Sequence, residues 1–375
     1  MQRKRILVLS VSAGAGHVRA AQALCAAAEG AFPQLDVTHV DVMDLVPSGF
    51  RKVYADSYIK LIEHLPLMWA YLYQRTDQAS PGSAAGQIRR RIQRLNTRRL
   101  DDEIARLAPH AIVCTHFLPA ELLSQRIRKG RPTPPVFVQV TDFDVHGLWI
   151  HPHLAGYFVA NAEIAARIVA RGIAPGQTFV TGIPIMPQFS RKLARATCAA
   201  ELGLDARKPT LLMMSGGAGV GGIDALAERL VKLERDLQVV ALAGRNEALL
   251  AALQAIAGRH PGRLLPMPFT RTIERAMAAA DVAITKPGGL TSSECLAVAL
   301  PMIVISPIPG QEERNADFLL ESGVALKAVD AAALEYKVKL LLENPERLAA
   351  MRANMRAHAR PEAAASVLRL VVERV

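Results

Sequence analysis

The sequence predicts an α/β protein of two successive halves, each built on a sheet of buried strands. Three observations carry this prediction. Short, continuous apolar runs recur along the chain at Ile6–Val11, Ala111–Thr115, Val136–Thr141 and Thr210–Ser215, with the length and content of strands covered on both faces. Two of these runs, Ile6–Val11 and Thr210–Ser215, lead into a Gly-rich turn and then a helix, so the same grammar starts twice. Between them, Gly182–Ile183–Pro184–Ile185–Met186–Pro187 breaks the pattern and marks a linker at about 183–193. A chain of 375 residues is long for one core. The reading gives a first domain at 1–185 and a second at 190–360, with a last helix at about 361–375 able to pack back on the first.

In the first half, the strand Ile6–Val11 ends in Ser12–Ala13–Gly14–Ala15–Gly16–His17, and an Ala-rich helix follows from about Val18 to Glu29. The turn lacks the full dinucleotide fingerprint. It places His17 on the first turn of a helix at the mouth of the sheet. One reading makes His17 a helix cap. The other makes it a general base, because a helix N-terminus keeps an imidazole neutral and able to accept a proton.

After the strand Val37–Val40 comes a segment from Val46 to Gln78 carrying Phe50, Tyr54, Tyr58, Trp69, Tyr71 and Tyr73 among Arg51, Lys52 and Lys60. It reads either as an amphipathic lid that meets a membrane or lipid acceptor, with Trp69 on the acceptor side, or as a helical insertion packed on its own domain. A basic helix at Gln87–Arg106 follows, either a solvated face or a site for anionic headgroups. No recognition motif for nucleic acid accompanies it, and none is expected as a partner.

The strand at Val136–Thr141 runs into Asp142–Phe143–Asp144, with His146, His151 and His153 behind it. Asp142 and His146 are expected to line a substrate cleft at the carboxyl end of the sheet. A metal held by the two aspartates or by the histidines is the weaker alternative. Strands at Tyr157–Asn161 and Thr178–Gly182 flank a helix and finish the half.

The second half opens on Thr210–Ser215 and the turn Gly216–Gly217–Ala218–Gly219, a nest of backbone amides able to cradle phosphate. Leu237–Ala243 leads to Arg245, and Leu264–Phe269 leads to a helix from about Thr272 to Ala280. Next come a strand, Asp281–Thr285, and the stretch Lys286–Asn315: a Gly-rich turn, a helix, a strand, a Pro-rich loop and a second helix. Gly289, Thr291 and Ser292 open the first of these helices, and Glu294 lies one turn in. Gln311, Glu312, Glu313 and Asn315 belong to the second. Bare amides and hydroxyls suit a phosphate, whereas carboxylates and side-chain amides suit sugar hydroxyls, so the stretch reads as a nucleotide-sugar pocket. Helices at about 331–342 and 345–358 precede the last one.

The formal charge of +11 favours an acidic partner or reflects an Arg-rich proteome. Cys25, Cys114, Cys198 and Cys295 are scattered and read as reduced core residues of a cytoplasmic protein. The apolar run near the N-terminus is too short for a signal segment, and no run is long enough to span a bilayer.

SAGAGHVRAAQAL, TGIPI, AGRN and KPGGLTSSE…LP…PIPGQEERNADFL together resemble the monogalactosyldiacylglycerol synthase and processive diacylglycerol glucosyltransferase family. They are more distantly similar to the enzyme that adds GlcNAc to lipid-linked muramyl peptide. The resemblance implies a GT-B fold, two Rossmann-like domains facing across a cleft. The activity it implies is an inverting transfer of galactose or glucose from UDP-galactose or UDP-glucose to 1,2-diacylglycerol, with no cofactor or obligatory metal, at the inner face of an anionic membrane. A UDP-GlcNAc transferase on another lipid-linked acceptor and a UDP-GlcNAc 2-epimerase-like enzyme are the alternatives.

Carried over, the resemblance gives Glu294 the ribose and gives the diphosphate to Thr291, Ser292 and the Gly216–Gly219 turn. Arg245 takes the leaving-group charge, Phe269 the uracil, and Gln311, Glu312 and Asn315 the hexose. His17 takes the acceptor's proton, with Asp142 and His146 beside that hydroxyl. Ser12 stands where the plant-type enzymes of this family tend to carry an aspartate.

Overall fold

A computed structural model describes residues 3–12, 14–46, 98–214 and 222–375. Trp69, Gly216, Gly217 and Gly219 lie outside the described residues, as do the aromatic segment Phe50–Gln78 and the part of the basic helix before residue 98. The chain divides into two units. The first is Met1–Pro187 with Pro309–Gln311 and Arg360–Val375, and the second is Gln188–Ile308 with Glu312–Ala359.

In the first unit six parallel strands form one sheet: β1 (Lys4–Ser10), β2 (Leu35–Asp41), β3 (Ala111–Cys114), β4 (Val136–Gln139), β5 (Gly156–Val159) and β6 (Thr178–Val180), in the order β2-β1-β3-β4-β5-β6. Ile6 faces Ala111 across the ladder and Leu9 faces Cys114, while Phe137 pairs with Gly156. Strands β2 and β3 flank β1 on opposite sides, so the loops leaving β1 and β3 diverge there. This is the switch point at which parallel sheets bind ligands.

Helix α1 (Ala15–Ala31) covers one face with Leu24 and with Ala20, Ala21, Ala23, Ala27 and Ala28, whose small side chains allow close approach to the strands. Helices α2 (Arg98–Leu107), α3 (Phe117–Arg128) and α4 (Ala162–Ala170) follow among the described residues. The core joins Ile6, Val8, Leu24, Val113, Phe137 and Phe158 to Val367, Leu368 and Val371, with the Phe137 and Phe158 rings stacked at 5.6 Å. Those last three residues come from the chain's final helix, which packs against α1 in this unit. Lys4 Nζ donates to the carbonyls of Val372 and Val375 at 3.1 and 2.7 Å, tying the first strand to the end of that helix.

The second unit starts with α5 (Arg195–Glu201) and holds its own parallel sheet: β7 (Thr210–Met214), β8 (Gln238–Gly244), β9 (Leu264–Pro268), β10 (Val282–Thr285), β11 (Met302–Ile305) and β12 (Ala325–Ala328), in the order β12-β11-β10-β7-β8-β9. Its switch point lies between β7 and β10. Helices α6 (Ile223–Val231), α7 (Glu247–Arg259), α8 (Ile273–Ala279), α9 (Gly289–Ala297), α10 (Gln311–Glu321), α11 (Ala331–Glu343) and α12 (Pro345–His358) alternate with the strands, and α13 (Ala363–Val372) is the helix that returns to the first unit. Leu211, Met213, Val239, Ala241, Val282, Ile284 and Ile303 form the centre of its core. At the amino-terminal ends of its two central strands, Asp281 accepts from Arg195 at 2.7 Å and from the Thr210 amide at 2.9 Å. Among the described residues, the predicted strands and helices of both halves are present. The sequence reading missed α3, α5, α7 and the edge strand β12.

Candidate active site

His17 is the third residue of α1. The N-cap is Gly14, at φ +114°, and no side chain caps the helix, so His17 does not serve as the cap. Its ring reaches instead to the carboxyl ends of the neighbouring strands. Nδ1 lies 3.0 Å from the Thr115 carbonyl, just after β3, and 2.9 Å from Thr141 Oγ1, just after β4. A carbonyl can only accept, so Nδ1 carries the proton and Nε2 presents its lone pair. Thr115 holds the same residue a second time, its hydroxyl donating to the His17 carbonyl at 2.9 Å.

His116 stands edge-on to His17, with ring centroids 4.6 Å apart, and Trp149 lies 6.0 Å away. The tautomer of His116 is fixed as well, because its Nδ1 accepts from the Leu118 amide at 3.0 Å and so caps α3. Burial lowers the pKa of His17, opposed in part by the negative charge of Asp142 and the Thr115 carbonyl. Burial, and then the neighbouring His17, push His116 well below the usual histidine range. Both imidazoles are therefore neutral at pH 7.

Asp142 and His146 lie in the loop after β4, and both are buried. Asp142 Oδ2 accepts from Gln311 Nε2 at 2.8 Å, and Gln311 belongs to the first unit. His146 Nδ1 accepts from the Leu148 amide at 3.1 Å. Asp144 is paired with Arg167 and so is already engaged. His151 lies 2.8 Å from the buried Glu121, and His153 is exposed in a left-handed turn at φ +68°. Among the described residues no group of three or more His, Cys, Asp or Glu is placed to hold a metal ion. Sequence reasoning missed Thr115, His116, Thr141 and Trp149 as site residues. The signal that could have found the first three is their position at the ends of the two buried runs Ala111–Thr115 and Val136–Thr141.

In the second unit, Gly288 caps α9, and Gly289, Leu290 and Thr291 are the first-turn residues whose amides have no partner within the helix. Thr291 is half-buried. Ser292 differs from the expectation. It is completely buried, its amide donates to the Gly288 carbonyl at 2.9 Å, and its hydroxyl has no partner among the described residues. The helix rotation that brings Thr291 to the surface seals Ser292, so Ser292 cannot meet a diphosphate.

Glu294 is buried one turn in, and Asn315 lies on the inward face of α10. Glu312 Oε2 accepts from the Ile308 amide at 2.7 Å, and Oε1 approaches Gly288, 4.0 Å from where a Cβ would stand. Glu313 is exposed. At the ends of β8 and β9, the Arg245 guanidinium lies 5.0 Å over the ring of Phe269, which is 52% exposed. A half-exposed aromatic ring of this kind beside a cation suits a planar base next to a phosphate.

Residues 17–185 match the family model described as Monogalactosyldiacylglycerol (MGDG) synthase, and residues 222–367 match Glycosyltransferase family 28 C-terminal domain. The chain is 30% identical over 372 residues to a processive diacylglycerol beta-glucosyltransferase of Bacillus cereus (strain AH187), covering 97% of this chain and 92% of the relative. It is 29% identical over 377 residues to the protein of the same name from Bacillus pumilus (strain SAFR-032), covering 99% and 95%. Among solved structures, MurG of Acinetobacter baumannii is similar with a TM-score of 0.61 at 16% identity, over 99% of both chains. MnaA of S. aureus with UDP is similar with a TM-score of 0.63 at 12% identity, over 97% and 95%. At these identities the structures show the shared fold alone.

Proposed function

The chain belongs to the family of monogalactosyldiacylglycerol synthases and family 28 glycosyltransferases, and from that premise we propose that it moves a hexose from a UDP-sugar to 1,2-diacylglycerol with inversion. The observation that carries the mechanism is His17. Its Nδ1–H is held by a carbonyl and its Nε2 has no hydrogen-bond partner among the described residues, in a neutral ring at the switch point of the first sheet.

In this reading Nε2 takes the proton of the acceptor hydroxyl as the oxygen attacks the anomeric carbon on the face opposite the diphosphate. The bond from that carbon to the UDP oxygen breaks, and its electron pair leaves with UDP. First-turn amides of Gly289, Leu290 and Thr291, with Arg245, would meet the charge on the departing diphosphate. This role falls to protein groups in place of a metal ion. Phe269 would stack on the uracil, and Glu294 would accept from the ribose hydroxyls. Of the two adjacent glutamates, Glu312 is assigned to the hexose because its carboxylate approaches Gly288 at the start of α9, whereas Glu313 is the more exposed of the pair.

The donor sugar is proposed as glucose, in line with the name shared by the relatives. The acceptor would be reached at a membrane surface, to which a charge of +11 is suited. No helix among the described residues is long and apolar enough to cross one.

The test is UDP release by purified protein given diacylglycerol in mixed micelles and either UDP-glucose or UDP-galactose, with product mass measured. Turnover with UDP-glucose, unchanged by EDTA and lost about 10³-fold in His17→Ala with donor binding intact, is expected. Release with UDP-galactose alone would reassign the sugar. Release only with a different lipid acceptor would reassign the acceptor, and conversion of UDP-GlcNAc without any acceptor would replace the reading with an epimerase.

A further inference from the structure

Resting on the reading of His17 as the base, we propose that Thr141 is a positioning residue of this reaction. With the Thr115 carbonyl it would hold the Nδ1–H edge of His17, the task a carboxylate performs for the histidine of a hydrolytic triad. The geometry is a shared hydrogen bond. Nδ1 lies 3.0 Å from the Thr115 carbonyl and 2.9 Å from Thr141 Oγ1, and the two acceptors come from adjacent strands, β3 and β4.

Thr141 is 2% exposed, and among the described residues the partner of its hydroxyl is His17. A valine of equal volume would fill the same place at the end of a buried strand without burying a hydroxyl. The hydroxyl is thus explained by the ring it touches. Thr115 contributes through its backbone carbonyl, which any residue there would supply, so the side chain specific to the ring is that of Thr141.

The chemistry uses this edge at one moment. When Nε2 takes the acceptor's proton, the ring becomes an imidazolium in a buried site, and its Nδ1–H bonds strengthen because the donor is charged. Two neutral oxygens stabilise the cation without neutralising it, so the base can release the proton to solvent once the product leaves. The titratable groups facing His17 are Asp142, whose charge favours the cation, and His116, whose charge would oppose it. Both are retained in the variants below.

The experiment compares wild-type protein with Thr141→Val and Thr141→Ser. It measures kcat/KM against pH with the donor sugar and diacylglycerol, and the His17 titration by NMR of protein carrying ¹⁵N-histidine. Loss of one acceptor disfavours the cation, lowering the pKa of His17. The acid limb and the NMR midpoint should therefore both move about half a unit to lower pH in Thr141→Val, with a plateau about five- to tenfold lower. Thr141→Ser, which keeps the hydroxyl, should restore all three. If Thr141→Val does not fold, Thr141→Ala carries the same expectation. A limb and midpoint that stay in place in the valine or alanine variant, whatever the plateau does, overturn the proposal. His17→Ala separates the two readings. Full turnover in that variant removes the base itself, whereas lost turnover with an unmoved Thr141→Val limb removes only Thr141.

Discussion

Gly182 sits near the point where the chain leaves the first unit, with φ at +89°. A Cβ added there would lie 2.4 Å from Arg360 Cβ, 2.9 Å from Arg360 Cγ and 3.2 Å from Ala363 Cβ. Two costs should therefore add in Gly182→Ala. The backbone angle costs an L-residue about 1–2 kcal/mol, and forcing a methyl group into an occupied space costs about 1–3 kcal/mol. Gly172 separates the two, since its φ is +94° but nothing lies within 4 Å of an added Cβ. Gly172→Ala should lose only the first cost, and Gly182→Ala should lose about 2 kcal/mol more. The assay is urea unfolding at pH 7.5 followed by circular dichroism, with the first unit's transition compared across variants. Adding Arg360→Gly removes two of the three clashing atoms, so a double-mutant cycle should show a favourable coupling of about 1 kcal/mol. A Gly182→Ala protein no less stable than Gly172→Ala would refute the steric reasoning.

Two further outcomes follow from the same structure. Burial lowers the pKa values of His17, His39 and His116. As pH falls below the ordinary histidine value near 6.5, the unfolded chain takes up protons that the folded chain excludes, so stability should decline at up to about 1.4 kcal/mol per pH unit for each excluded proton. Urea midpoints at pH 7.5, 6.5 and 5.5 check this, and a midpoint that rises on acidification would reverse the sign. At the sugar end, Glu312→Gln should raise the KM for the donor about tenfold or more, while Glu313→Gln should leave it unchanged. Equal effects in steady-state kinetics would undo the assignment of the hexose to Glu312.

Much of this architecture is legible because buried parallel strands write themselves as continuous apolar runs. β1, β3, β4, β7 and β10 were readable on that basis, as was the turn that carries His17. Strand β12 was missed because its sequence, ALKA, lies at the sheet edge and is buried only at its two ends. Helix α3 was missed because a histidine caps it, where sequence reading looks for Ser, Thr, Asp or Asn. The environment of His17 was beyond reach for a different reason. Thr115 and Thr141 are 98 and 124 residues away from it, and they meet it only because β3 lies next to β1 and β4 next to β3. Residue periodicity does not encode that strand order. Likewise, a run of three hydroxyls at 291–293 looks like one feature until the helix rotation turns Ser292 inward and sends the Ser293 hydroxyl back to the Gly289 carbonyl.

The return of α13 to the first unit bears on how the molecule is made. Val367, Leu368 and Val371 belong to the same core as Ile6 and Val8. During synthesis, the first unit emerges early but lacks one wall of its core until the whole second unit has been translated. The second sheet has its strands and helices in one nearly continuous stretch and can close first. The unit carrying His17 is then the last to be completed, and its apolar face is open to chaperones or to aggregation in the interval. A ribosome stalled before residue 360 should therefore display a folded second unit behind an unfinished first one.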